Sequence, residues 1–266
     1  DDLERKLRLN QFRGGTAAVY MEPVGPESGT TPITVEYVKG VERLCRKYGA
    51  LLVFDEVVTG FRIGMAGAQG YFGVSPDLTI FGKVIAGGYP GAGGIGGKRE
   101  YMKYLGAGLD SSGKKIHKAL VGGTMTANPL SCCAGYFTLE EIERTNACQK
   151  AGQMGDRICA GLKELVKKHG LPFVVWNTGS ICHLETVGTM HYQINWKKPW
   201  EIPAILGETG IRQKEMEHMG AAYMAEGLVT LAGSRLYTSA AYTPKMIDQA
   251  LACFDRVFEN VAVKAD

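Results

Sequence analysis

Apolar residues recur along this chain in two spacings, and their alternation predicts its elements. Residues 17–24 (AAVYMEPV) form a short apolar run closed by Pro23 and Gly25, which predicts a buried strand. Residues 33–48 carry apolar side chains at 35, 38, 41 and 44, the period of an amphipathic helix, and Gly49 supplies its stop. Residues 50–54 (ALLVF) predict a second buried strand, followed at once by Asp55 and Glu56. Residues 59–73 read as a long glycine-rich loop, and residues 77–81 as a third strand that runs into Gly82-Lys83. A short helix is expected at 98–105, a polar loop at 106–124, and helices at 128–143 and 148–169 with a break near Thr145 and Asn146. The charged segment 1–10 reads as a helix. Beyond about residue 170 the character changes. Strands are expected at 173–175, 181–184 and 228–231, helices at 208–225 and 244–263, and an exposed loop around Trp196, Lys197, Lys198 and Trp200.

Strand, helix, strand, loop, strand is the order of an α/β sheet with parallel strands. The later mixture of strands and helices predicts a second, smaller α+β domain. Composition narrows the function classes. Thirty Lys and Arg against 27 Asp and Glu leave a net charge of +3, without the clustered basic face that nucleic-acid binding needs. No run approaches the roughly 18 apolar residues of a membrane span. Seven cysteines, with no Cys-x-x-Cys pair and no zinc spacing, predict reduced thiols in a cytoplasmic protein and no metal site. The five histidines likewise form no metal pattern. The 36 glycines have no fixed period, so they are expected at tight turns and close backbone approaches.

In open α/β sheets, ligands bind beyond the carboxyl ends of the strands. Two ionisable residues stand at such ends, Asp55 and Lys83, each leading into glycine-rich chain. An amine and a carboxylate placed there can serve one cofactor, pyridoxal 5'-phosphate. The amine forms a Schiff base with its aldehyde, and the acid keeps its pyridine nitrogen protonated.

Four blocks carry a family resemblance: LLVFDEVVTGFR (51–62), GAQGYFGVSPDLTIFGKVIAGGYP (67–90), GGKRE (96–100) and GGTMTANPLSCCAG (122–135). Together they resemble the class III pyridoxal-phosphate-dependent aminotransferases, most of all the glutamate-1-semialdehyde aminomutase branch. The resemblance implies the type I fold of these transferases. Residues 1–143 would form the C-terminal part of the large cofactor-binding domain, and residues 144–266 the small C-terminal domain. It implies Lys83 as Schiff-base lysine and proton carrier, Asp55 as partner of the pyridinium, and Val57 against one face of the ring. Thr124 matches a threonine that reaches the phosphate of a neighbouring subunit's cofactor, which implies a homodimer with shared sites. Glu22, in Glu-Pro-Val, matches an acidic position near the pocket. Val58 stands where many class III transaminases carry glutamine, and the aminomutase branch is also apolar there. Arg235 is a further candidate, a guanidinium able to clamp a substrate carboxylate. The family's phosphate-binding turn and its second ring-stacking residue precede the first strand. Nothing upstream of Arg13 resembles them, so the N-terminal part of the fold is expected outside these 266 residues.

The implied activity is amino-group transfer, with glutamate-1-semialdehyde one candidate substrate. A transaminase or racemase acting on another amino acid stays open. So does a partial, non-catalytic or assembly subunit whose partner carries the N-terminal segment. A third reading, dinucleotide binding at residues 91–96, matches G-x-G-x-x-G literally, but Gly87, Gly88 and Pro90 spoil the strand that should precede it. A closely packed strand is the expectation there instead.

Overall fold

A computed structural model of the chain describes residues 2–25, 32–106, 108–109, 112–115, 117–186, 198–231 and 233–261. Residues 26–31 lie outside the described residues, and so do Trp196 and Lys197 of the loop expected there. The chain divides into two units, one of Asp1–Gly25 with Ile33–Asn146 and one that contains Ala147–Asp266.

The first unit begins with α1 (Asp2–Gln11), acidic in its first turn and basic in its last, as the helix dipole favours. Strand β1 (Ala18–Met21) is shorter than the sequence predicts, so Glu22 stands just past its end. Helix α2 (Val35–Tyr48) is capped at both ends. The Thr34 side chain accepts from the Tyr37 N–H at 3.2 Å, and Gly49 turns left-handed at φ 67°. Its apolar face, Val38, Val41 and Cys45, is buried and packs on β2 (Leu51–Asp55), where Leu52 and Phe54 are fully enclosed. Burying each such side chain contributes about 1.5–3 kcal/mol.

The expected loop at 59–73 holds a short helix, α3 (Gly67–Phe72). Its glycine-rich sequence has little helical propensity. The helix forms because buried Glu56, twelve residues earlier, accepts from the Ala68 N–H at 2.6 Å and from the Gln69 N–H at 3.3 Å. Strand β3 (Leu78–Phe81) follows, then a 3₁₀ turn (Lys83–Ala86), strand β4 (Gly94–Gly97) and α4 (Arg99–Met102). Helix α5 (Pro129–Arg144) is capped by Asn128, whose side chain accepts from the Ser131 N–H at 3.0 Å. The sheet order is β1-β2-β3-β4, with the first three strands parallel and β4 antiparallel to β3. Residues 91–96 thus feed an antiparallel strand instead of a helix, and the dinucleotide reading fails on geometry.

The second unit opens with α6 (Ala147–Lys168), after Asn146 breaks from α5 with φ 53°. Strands β5 (Val174–Thr178) and β6 (Ile181–Glu185) form a hairpin. Helix α7 (Ile202–Ala225) is followed by β7 (Arg235–Tyr237), which pairs antiparallel with β6, and by α8 (Pro244–Glu259). The strand expected at 228–231 is not formed, and its place in the sheet is taken by Arg235–Tyr237. The Leu228 N–H bonds back to the Tyr223 carbonyl at 2.8 Å, which ties the segment to the end of α7. Gly227 and Gly233, both at positive φ, turn the chain on either side of it. Leu162, Leu184, Tyr223, Phe254 and Phe258 fill this unit's core.

Asp77, buried at the start of β3, ties the lower end of the first sheet. Its Oδ2 accepts from the Leu52 N–H at 2.8 Å and from Arg46 of α2 at 2.6 Å. Its Oδ1 accepts from Lys98, just after β4, at 2.6 Å. Burial alone would push this carboxyl's pKa up. The bonds from Lys98, Leu52 and Arg46 outweigh it and hold the group below its ordinary 3.8. Asp77→Asn is expected to cost about 1–3 kcal/mol of stability at neutral pH, read by urea unfolding. Because the folded pKa is depressed, the difference from wild type should persist down to pH 3.8 and shrink only below it. Equal stability at neutral pH would show that the carboxylate charge does not hold the sheet.

Candidate functional site

The upper end of the first sheet, where β1, β2 and β3 finish, gathers most of the residues that the sequence singles out. Asp55 ends β2 and stands opposite Ile80 in register, half-buried. Its Oδ1 accepts from the Val57 N–H at 2.9 Å, so the strand exit grips its own carboxylate. The Glu56 N–H bonds to the Ile80 carbonyl at 2.8 Å and carries the β2–β3 pairing one residue further. Val57 lies against Gly82, where an added Cβ would stand 3.2 Å from the valine Cγ1. Lys83 follows Gly82 directly and is exposed. Asp55, Val57 and Lys83 therefore meet at one edge, with Glu22 at the adjoining end of β1.

Lys83 has a backbone φ of 50°, a left-handed conformation that costs a non-glycine residue roughly 1–2 kcal/mol. Close packing behind it holds that conformation. A Cβ on Gly135 of α5 would sit 1.9 Å from the Ile85 carbonyl oxygen, and one on Gly87 would sit 2.5 Å from the Ala134 carbonyl carbon. Only glycine lets the 3₁₀ turn and α5 approach this closely. Ser131 donates to the Pro90 carbonyl at 2.6 Å, and the Ala127 N–H bonds to Gly91 at 3.0 Å. These bonds carry the lysine turn on to the exposed turn of residues 124–127, which holds Thr124. Of the four non-glycine residues with positive φ among the described residues, Phe61, Lys83 and Ala127 lie on this framework, Phe61 with its ring 5.8 Å from that of Phe81.

Arg235 lies on β7 of the second unit, opposite His183 in register. His183 is buried there and stacked on Trp176, so it packs the small sheet. Lys98 is committed to Asp77. Among the described residues no group of three or more His, Cys, Asp or Glu could hold a metal ion.

Two residues of the site escape sequence reasoning. Glu56 is buried and receives hydrogen bonds from Thr59, Ala68 and Gln69, which shapes the chain after Asp55. Tyr20 of β1 donates its hydroxyl to Asp55 Oδ2. The bond to Asp55, some burial, and the charges of Asp55 and then Glu22 push the Tyr20 phenol from 10.0 up to about 12. The signal for Tyr20 is faint in sequence: a hydroxyl in an otherwise apolar strand, 35 positions from its partner.

The fold defined by this sheet and its lysine-bearing edge is that of the transaminases. An omega-transaminase from Sphaerobacter thermophilus superposes with a TM-score of 0.73 at 24% identity, over 95% of this chain and 54% of that one. A beta-phenylalanine aminotransferase from Variovorax paradoxus gives 0.75 at 21% identity, over 97% and 56%. The chain belongs to the class III aminotransferases, whose family model matches residues 3–232. It is 34% identical to glutamate-1-semialdehyde 2,1-aminomutase 2 of Brevibacillus brevis over 258 residues, 94% of this chain and 54% of the relative. It is 40% identical to glutamate-1-semialdehyde 2,1-aminomutase 1 of Staphylococcus epidermidis over 176 residues, 66% of this chain and 39% of the relative. The chain thus spans about half the length, or less, of the curated relatives it matches.

Two outcomes are expected. Gly135→Ala should cost about 1–3 kcal/mol and displace the lysine turn, seen as changed amide chemical shifts at residues 83–87; unchanged shifts would show that α5 does not set the turn. In alkaline titration, the phenolate difference between wild type and Tyr20→Phe should place Tyr20 near 12, and Asp55→Asn should return it toward 10. The folded phenol keeps its proton to higher pH than the unfolded one. The bond's stabilisation is therefore complete below pH 10 and is lost as pH rises through 12.

Proposed function

We propose that this chain is the lysine-bearing part of a pyridoxal-phosphate-dependent enzyme that moves an amino group between an amine and a carbonyl compound. The observation that carries this reading is the meeting of Lys83, Asp55 and Val57 at the carboxyl edge of the sheet. The residues fit the cofactor. Lys83 is exposed and makes no ion pair among the described residues, so its amine is open to an aldehyde. Asp55 has a carboxylate suited to a cationic ring nitrogen, and Val57 offers an apolar surface beside Gly82.

When bound, the cofactor supplies an electron sink for the electrons released at the substrate carbon. Lys83 would hold the cofactor by its aldehyde carbon. Once released, its Nζ would take a proton from the substrate carbon and return it at the adjoining position. Asp55 would keep the proton on the ring nitrogen. Val57 would pack on one face of the ring. Glu22 would border the pocket, and Arg235 would bind a substrate carboxylate.

Thr124 would bind the phosphate of a second copy's cofactor, in a homodimer with shared sites. Leu120, Val121, Met125, Leu130 and Phe137, all exposed in the segment 120–137 that contains Thr124, support an apolar interface there. The names of the 34–40% identical relatives support glutamate-1-semialdehyde as substrate, and moving its amino group to the neighbouring carbon would give 5-aminolevulinate. We assign the first unit to the large cofactor-binding domain and the second to the small C-terminal domain. No helix among the described residues is long and apolar enough to cross a membrane. The seven cysteines form no disulfide among the described residues, which supports a cytoplasmic location.

Borohydride treatment of the purified protein with pyridoxal 5'-phosphate, followed by peptide mass spectrometry, tests the assignment. A phosphopyridoxyl group is expected on the peptide that carries Lys83, and Lys83→Ala should abolish it. Labelling spread over other lysines, or none, would sink the proposal.

A further inference from the structure

Strands β1 and β2 run parallel with Tyr20 opposite Val53, which places Tyr20, Val53 and Asp55 on one face of the sheet. The Tyr20 hydroxyl spans the remaining distance and donates to Asp55 Oδ2, while the Val57 N–H donates to Oδ1. The carboxylate is thus gripped from two elements, one donor on each oxygen, and both its torsions are set before any ligand arrives. Tyr20 is 57% exposed, so its ring gains little from burial and its hydroxyl is the part with a structural task. Each carboxylate oxygen has two acceptor sites, so Asp55 can take a further N–H from a ligand.

We propose that Tyr20 is a positioning residue, which aims the Asp55 carboxylate at the ring nitrogen of the cofactor. The inference rests on the pyridoxal-phosphate reading above and adds to it a residue outside the strand-end motif. Glu22, next along the strand edge, is the other charged group acting on Tyr20, and it disfavours the phenolate. The phenol therefore stays protonated, and so a donor, through the neutral range.

Pyridoxal 5'-phosphate labelled with nitrogen-15 in its ring, bound to the purified protein, reports the ring proton directly by NMR. Wild type, Tyr20→Phe and Asp55→Asn would be compared, with cofactor affinity measured for each. Tyr20→Phe removes only the hydroxyl and keeps the ring. It is expected to weaken cofactor binding by about three- to tenfold, the worth of one hydrogen bond, and to shift the ring-nitrogen resonance. Asp55→Asn should move that resonance to the unprotonated range. If Asp55→Asn does so while Tyr20→Phe matches wild type in both readouts, the positioning role is overturned and the cofactor reading stands. If Asp55→Asn changes nothing, or no variant and no wild type binds the cofactor, the cofactor reading fails and this inference falls with it. Should Tyr20→Phe not fold, Tyr20→Leu and Tyr20→Met, which have no side-chain hydrogen-bond donor, carry the same comparison.

Discussion

The first unit depends on a buried carboxylate at the bottom of its sheet. Asp77 takes hydrogen bonds from a strand amide, from Arg46 of α2 and from Lys98 beyond β4. These three partners lie 25, 31 and 21 positions away in sequence. A carboxylate so enclosed is stable only because each of its donors stands in place. With the strand beginnings locked, the opposite ends can diverge into loops without loss of register. Asp55 and Lys83, the residues of the proposed site, sit at those ends.

At the upper edge the fold concentrates strain instead of relieving it. Lys83, Phe61 and Ala127 hold left-handed backbone angles that their side chains disfavour. Packing between α5 and the lysine turn, possible because Gly87 and Gly135 lack side chains, over-determines the conformation of Lys83. Hydrogen bonds play the same part for Asp55, with a backbone amide on one oxygen and a phenol on the other. The backbone of Lys83 and the carboxylate of Asp55 are each held in part by chain distant in sequence, which fixes the base from which each side chain works.

Much of this was legible in the amino-acid order. The strand runs at 50–54 and 77–81, the capped helix at 33–48 and the break at Asn146 follow from period, glycine stops and turn chemistry. The positions of Asp55 and Lys83 at strand ends follow from the same reading. The short helix at Gly67–Phe72 was not legible, because its amides are capped by Glu56 through space and its own residues argue for a loop. The strand expected at 228–231 went wrong for a similar reason. Its apolar side chains suit a sheet, yet its leading amide is used by α7 and the pairing edge of β6 is filled by Arg235–Tyr237.

By itself the sequence determined most of the local elements and the family, and it put Lys83 and Asp55 forward as the lysine and the acid of the proposed site. Each of these is written in short-range period and in motifs a few residues long. Only the tertiary structure decided which groups support them. Tyr20 reaches Asp55, Glu56 builds α3, Gly135 admits the lysine turn, and Asp77 locks the strands. Those partnerships join positions 12 to 50 residues apart, between Glu56 and Ala68 at the near end and Ile85 and Gly135 at the far end. Side-chain reach and backbone proximity create them, and neither has a signature along the chain.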